Sequence, residues 1–167
     1  YHRGDWYYAN EAETRELFSG LGKDFSRLSL GCYFAELTEA LTAEGEESGE
    51  LLRHLLNGLY AIENFRRPPE LLRAAFELRA MSLAGYEPLL EGCAFCGKEQ
   101  PEEPVLDLGS GVLRCRRCGS GGAGMPLDAD ALAAARHVLY GDPKRLYGFT
   151  LGEESLRRLS AAAEAFT

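Results

Sequence analysis

Positive charge is in short supply. The 167-residue chain sets 18 lysines and arginines against 26 aspartates and glutamates, a formal net charge of −8, and a chain of that balance does not grip nucleic acid over its whole surface. Any contact with DNA has to be local. No run of 18 or more apolar residues occurs, which leaves no membrane-spanning helix to expect. Motifs of catalysis are also missing: there is no glycine loop with a lysine to cradle phosphates, no H-E-x-x-H pair and no serine nucleophile motif. Carboxylates are plentiful, but they fall in connections and on polar helix faces, so the sequence points to a binding protein rather than an enzyme. The first residue is Tyr1 and not methionine, which leaves room for a removed targeting segment or other sequence upstream.

Apolar residues are not lacking. They make up 46% of the chain, and a length of this order suits one domain, or one with a small insertion, that buries roughly 70% of its unfolded surface. Most of these residues recur at helical spacing. A Gly4-Asp5 turn and the aromatic run Trp6, Tyr7 and Tyr8 favour an opening strand, and Asn10 with Glu13 has the form of a capping box. Phe18, Leu21, Phe25 and Leu28, then Leu30, Phe34, Leu37 and Leu41 on a shifted face, predict one long helix or two, with Gly31 where another helix packs closely. The acidic run from Glu44 is a solvated connection in which Ser48 caps a second helix carrying Leu51, Leu52, Leu55, Leu56, Leu59 and Ile62. Pro68-Pro69 opens a third, with Leu71, Leu72, Phe76, Met81 and Leu83, and Gly85 stops it. Pro126 and Asp128 begin an alanine-rich helix to Tyr140, Gly141-Asp-Pro143 breaks it, and Thr150 with Glu153 forms a second capping box before a final helix through Leu156, Leu159 and Phe166. Between the third and fourth helices glycines and Pro88, Pro101 and Pro104 accumulate, the mark of an irregular module of turns. The fold class is mainly α, a helical bundle with that module inserted.

The module holds the strongest signal. Cys93-Ala-Phe-Cys96, eighteen residues, and Cys115-Arg-Arg-Cys118 form a C-x₂-C…C-x₂-C pattern with the spacing of a zinc site. Two residues between thiolates let both sulfurs turn to one side of a tight knuckle, and two knuckles complete a tetrahedral Cys₄ shell with Zn–S bonds of about 2.3 Å. Gly97 and Gly119 follow the knuckles, where a residue without Cβ can take positive φ. Such a shell has no open position, so one Zn²⁺ would be structural and would replace the core the module lacks. Val105-Leu-Asp-Leu108, Gly109-Ser-Gly111 and Val112-Leu113 read as a hairpin, which makes the module zinc-ribbon-like. The competing readings are two disulfides in an exported protein or redox dithiols. Cys32 reads as a small buried hydrophobe, and His2, His54 and His137, being scattered, as structural residues. Arg114, Arg116 and Arg117 flank the second knuckle; they are candidate contacts to nucleic-acid phosphates, or else they offset the −2 charge of four thiolates around Zn²⁺.

Leu83-Ala-Gly85-Tyr86-Glu-Pro88-Leu-Leu-Glu-Gly-Cys93-Ala-Phe-Cys96-Gly97 resembles the helix end, Gly-Tyr-x-Pro turn and first zinc knuckle of the bacterial recombination and repair family RecO. Asp24-Phe-Ser-Arg27 and Tyr33-Phe-Ala-Glu36-Leu37 are similar to that family's first long helix, and Cys115-x-x-Cys118 stands where its second knuckle belongs. The resemblance covers nearly the whole chain and implies its division. Residues 1–12 would be the last strand of an otherwise absent OB-fold barrel, 13–92 the first part of a helical domain, 93–125 the zinc-binding module and 126–167 the rest of the helical domain.

It further implies a mediator of DNA repair and recombination in the RecF pathway of the DNA damage response. Such a protein binds and anneals single-stranded DNA, works with RecR and helps RecA replace single-strand-binding protein, in the bacterial cytoplasm at the nucleoid. Single- and double-stranded DNA would be held mainly by the missing barrel. The helical domain would dock the acidic, phenylalanine-ended tail of single-strand-binding protein, which calls for an apolar pocket with a basic rim; Lys23, Arg27, Arg66 and Arg67 are candidates for the rim by charge. Some family members lack the cysteines, in keeping with a structural metal. The alternatives are a zinc-ribbon interaction module of another nucleic-acid complex, or a redox-regulated chaperone that releases zinc on oxidation. Loss of one cysteine is expected to unfold the module alone.

Overall fold

The first helix starts later than the capping box at Asn10 predicts. In the computed structural model, which describes residues 2–3, 6–43, 45, 47–118 and 124–167, residues 8–20 form no helix and Leu21–Lys23 make a single 3₁₀ turn. Helix α1 is Phe25–Ala40, capped by Asp24, whose carboxylate accepts the Arg27 N–H at 3.0 Å. Asp24 is an efficient cap directly before the apolar stretch, whereas Gly20, Gly22 and the left-handed backbone of Phe18 (φ 44°) break the chain ahead of it. The opening segment forms two paired two-residue strands, β1 (His2–Arg3) and β2 (Trp6–Tyr7); the Gly4-Asp5 turn lies outside the described residues.

The other helices fall close to their predicted places. Helix α2 spans Gly49–Asn64, starting after Ser48 but without a cap bond from its side chain. Helix α3 is Pro69–Leu83, opened by proline at its first turn and closed at Gly85, which takes φ +89°. Helix α4, Ala129–Tyr140, is capped by Asp128, and α5 is Glu153–Phe166. The second capping box is not made, because the residue at the head of α5 is Gly152 and not Thr150. Strands β3 (Pro104–Asp107), β4 (Val112–Cys115) and β5 (Gly124–Pro126) form an antiparallel sheet in the order β4-β3-β5. The hairpin matches expectation, while β5, a Gly-Met-Pro triplet with no alternation, carries no strand signal.

Helix α3 lies at the centre and is buried on nearly every side, from Leu71 to Met81. The Phe76 ring stacks on Phe34 of α1 at 3.7 Å between centroids and on His54 of α2 at 4.3 Å. Gly58 makes this possible: a Cβ there would sit 2.9 Å from both Phe34 and Phe76. Glycine in a helix interior costs about 1 kcal/mol relative to alanine, and here the close approach of α2 to the ring stack offsets it. Gly31 likewise lies against Leu21 and Leu59. Glu77 is fully buried on α3, accepting the Tyr33 hydroxyl at 2.6 Å, and burial raises its pKa.

The sheet is not a separate body. Leu90, Leu106 and Leu113 belong to the same apolar cluster as Leu127, Leu132 and Leu159 of the helical part. The expectation that the module would unfold alone assumed separate cores; because the two parts share one, damage to the module is expected to reach the helices as well.

Two outcomes are expected. Gly58→Ala should lower stability by about 1–3 kcal/mol in urea denaturation, the cost of overpacking a close contact, while Gly22→Ala, which meets open space, should change it little. His54 donates Nε2–H to the Phe76 carbonyl at 3.0 Å, and burial drives its pKa from 6.5 down to about 4 despite that bond, with Arg79 adding to the fall. The unfolded chain thus takes up a proton that the folded one refuses. Stability is fully present above about pH 6.5 and falls by up to about 3 kcal/mol towards pH 4. Denaturation of the chain and of His54→Leu across this range should show the slope flattened in the variant.

A candidate metal centre and a basic cleft

The first knuckle is hung on the sheet by backbone bonds. Leu89 bridges β4, giving its N–H to Gly111 and its carbonyl to Leu113, and Ala94 donates to Leu113 at 2.8 Å. Cys93 then accepts the Gly97 N–H at 2.8 Å and donates to Lys98 at 3.0 Å, closing a tight loop in which Gly97 takes φ +70°. The second knuckle begins at the end of β4, where Cys118 donates to Cys115 at 3.0 Å. Gly119 lies outside the described residues.

The four sulfurs of Cys93, Cys96, Cys115 and Cys118 converge within 4.8 Å of one another. Cys96 and Cys115 stand 3.9 Å apart, close to the roughly 3.8 Å edge of a tetrahedron with ~2.3 Å metal–sulfur bonds and about twice a disulfide bond length. All five cysteines are free thiols. Cys93, although buried, is pulled down to about 6 by N–H groups led by that of Cys115, 3.3 Å from its sulfur; Cys118 is pushed up to about 12 by hydrogen bonds shared with the Cys115 and Cys96 thiols. Four thiols so close cannot all hold charge by themselves, and a divalent cation is what lets them. The donor set fits a metal ion held by four cysteines.

Arg136 of α4 fastens this loop to the helical body. Its guanidinium donates to the carbonyls of Leu90 at 2.8 Å, Glu91 at 2.9 Å and Glu99 at 2.6 Å. Sequence reasoning missed it, since backbone carbonyls as partners leave no trace in residue type. Cys32, expected to be buried, is exposed on α1. His54 is in the core and His137 bonds the Arg145 carbonyl at 2.9 Å; the side chain of His2 is outside the described residues.

The arginines beside the second knuckle each face a carboxylate of the module. Arg114 is buried against Asp107 at 3.4 Å, Arg116 pairs with Glu103 at 2.9 Å and Arg117 with Glu102 at 3.7 Å. Only Arg114 is buried in its pair; the guanidiniums of Arg116 and Arg117 stay in solvent, within reach of a phosphate. On the helical body the arrangement differs: Arg27, Arg66 and Arg67 line one cavity of about 630 Å³, floored by Leu30, Ile62 and Leu72. Lys23 is not part of it. Asp24 lies on its edge, with its carboxylate committed to capping α1.

For the cysteines the expected outcome is one Co²⁺ or Zn²⁺ per chain, with sulfur-to-cobalt absorption bands that Cys115→Ser abolishes. Because thiolates must be deprotonated to bind, the ion should leave as pH falls from 7 to 5, followed with a chromogenic chelator. Arg136→Gln keeps all four sulfurs and should weaken metal binding about tenfold, as loss of an outer support does.

Comparison with known proteins agrees with this architecture. The family model described as the C-terminal part of recombination protein O matches residues 22–167. The DNA repair protein RecO of Symbiobacterium thermophilum is 32% identical over 165 residues, covering 94% of this chain and 64% of that protein. The RecO of Alkaliphilus metalliredigens is 32% identical over 112 residues, 67% of this chain and 46% of its own length, and that of Acetivibrio thermocellus 23% over 163 residues, 97% and 65%. The chain thus spans about half to two thirds of the length of these relatives. With the helices and the cysteine-bearing sheet all inside the matched residues, the chain belongs to the RecO family of DNA repair proteins.

Proposed function

We propose that this chain supplies the protein-docking platform and a structural zinc centre of a RecF-pathway mediator, one that works with RecR and helps RecA displace single-strand-binding protein in the bacterial cytoplasm. The cavity between α1 and the start of α3 carries the reading. Its floor is aliphatic, and its walls include Pro68 and Pro69, rigid groups that lose little entropy on binding. Arg66 and Arg67 have no ion pair or side-chain hydrogen bond among the described residues, so their charge is available at the rim. Such a socket takes one apolar side chain and the carboxylates beside it, the chemistry of an acidic tail ending in phenylalanine. Arg27, held by the Glu63 carbonyl at 3.1 Å, is oriented by the fold. Zinc is the ion that four cysteines with this closed geometry select, and its role is to hold the sheet. DNA itself is assigned mainly to sequence outside this chain, and no catalytic step is required of it.

A short acidic peptide ending in phenylalanine, titrated by fluorescence anisotropy, should bind at one site, weaken at least tenfold with Arg66→Glu and Arg67→Glu combined, and lose binding when the terminal phenylalanine is removed. Lys23→Glu should leave affinity unchanged. Equal affinity for all variants would overturn the assignment.

A further inference from the structure

The charged hollows of the surface are of two kinds. Next to the arginine-lined socket lies a second cavity of about 550 Å³, which shares Phe65 with it and carries Arg53 and Lys144. Both are basic. A third hollow, of about 710 Å³, lies between the first cysteine knuckle and the last turns of α4, and its free charge is of the other sign. Glu91 and Glu99 line it, and neither side chain makes an ion pair or hydrogen bond among the described residues. Glu102 and Glu103 of the same module differ, since they face Lys98, Arg117 and Arg116. Arg136 is the cation on the lining, and the carbonyls of Leu90, Glu91 and Glu99 already hold it.

The same hollow has uncovered apolar surface. Leu89 is 62% exposed and Tyr140 43%, both on the lining. Each is held in place: Leu89 is bridged to β4 through its backbone, and the Tyr140 hydroxyl accepts the Leu90 N–H at 3.1 Å and donates to the Pro88 carbonyl at 3.2 Å. Burial and the nearby carboxylates of Glu87 and Glu91 raise the pKa of this phenol, so the ring stands in a negative field. Gly92 and Gly97 add no side chains to the knuckle wall, and Gly97 faces open space.

From this pairing of exposed apolar surface with unpaired carboxylates, we infer that the hollow is a docking site for a basic segment of another protein. An arginine or lysine of that segment meets Glu91 and Glu99, with its charge over the Tyr140 ring. An apolar neighbour covers Leu89. In an extended peptide alternate residues share a face, so an arginine two positions from a leucine serves both needs at once. Charge complementarity selects this occupant: a nucleic acid is a polyanion that these carboxylates repel, and a second copy of a chain of net charge −8 is a poor match. A bare cation would leave Leu89 and the ring face uncovered. The hollow shares no lining residue with the socket for an acidic tail, which makes it a second docking surface of opposite charge.

The test uses the whole 167-residue chain, purified with Zn²⁺, and a labelled peptide in which a leucine stands two residues from an arginine on either side. Anisotropy should show binding that weakens about tenfold with Glu91→Gln and Glu99→Gln together, and at least about fivefold with Leu89→Ser. Glu36→Gln with Glu39→Gln removes the same charge from the exposed face of α1 and should leave affinity unchanged. A photoreactive leucine in the peptide should cross-link to residues 89–100 or to the end of α4. Leu89, Glu91 and Glu99 are exposed, and unchanged far-ultraviolet circular dichroism confirms that each variant folds. Equal weakening by the α1 pair overturns the proposal, because the attraction is then to the overall charge of the chain. So does affinity indifferent to Leu89, Glu91 and Glu99, or a dimer of the chain that Leu89→Ser dissociates in sedimentation, since the hollow is then a contact between copies. Failure of the acidic peptide to respond to Arg66 and Arg67 reversal counts against the docking function proposed above alone, as those residues lie outside this hollow.

Discussion

The close approach of α2 to the Phe34–Phe76–His54 ring stack is the constraint on which the helical body depends. Because Gly58 has no side chain, α2 settles against Phe76 from one side while α1 brings Phe34 from the other. That approach sets the position of α2's last turn, and with it the place where Phe65, Arg66 and Arg67 leave the helix. Of the polar groups buried alongside, His54 meets the Phe76 carbonyl and Glu77 meets the Tyr33 hydroxyl through Oε1, while Glu77 Oε2 is left without a hydrogen bond.

Covalent spacing and helical period were legible in the sequence; long-range partners were not. The cysteine knuckles could be read because a chelating pair is a local device, complete within four residues. Helices α3 and α4 could be read because Pro69, Gly85 and Asp128 act on their own ends. Asn10 and Thr150 misled because a capping box competes with whatever lies next to it, and Asp24 in one case and the Gly152 backbone in the other took the position. The pairing of Arg116 with Glu103 crosses a hairpin, and the clamp of Arg136 reaches three carbonyls on a remote loop. Neither follows from residue type. The exposure of Cys32 reflects a similar limit, since its helix turns that position outward while keeping Gly31 and Phe34 inside.

The fold also sorts its cations. Around the cysteines and along α5 they are matched with carboxylates, which keeps those surfaces near neutral or acidic. At the end of α2 and the turn after α4 they are left uncompensated beside apolar walls. An acidic chain can in this way carry a strongly directional positive field without a high overall basic content.

Phe65 is a wall of both basic cavities, so the two volumes meet at a single aromatic side chain. A turn of that ring would reshape both at once, and two occupants would then feel each other through it. If the shared wall suits both at once, each ligand tightens the other by the same factor; if not, each expels the other by the same factor. One aromatic side chain thereby gives two neighbouring compartments a common wall.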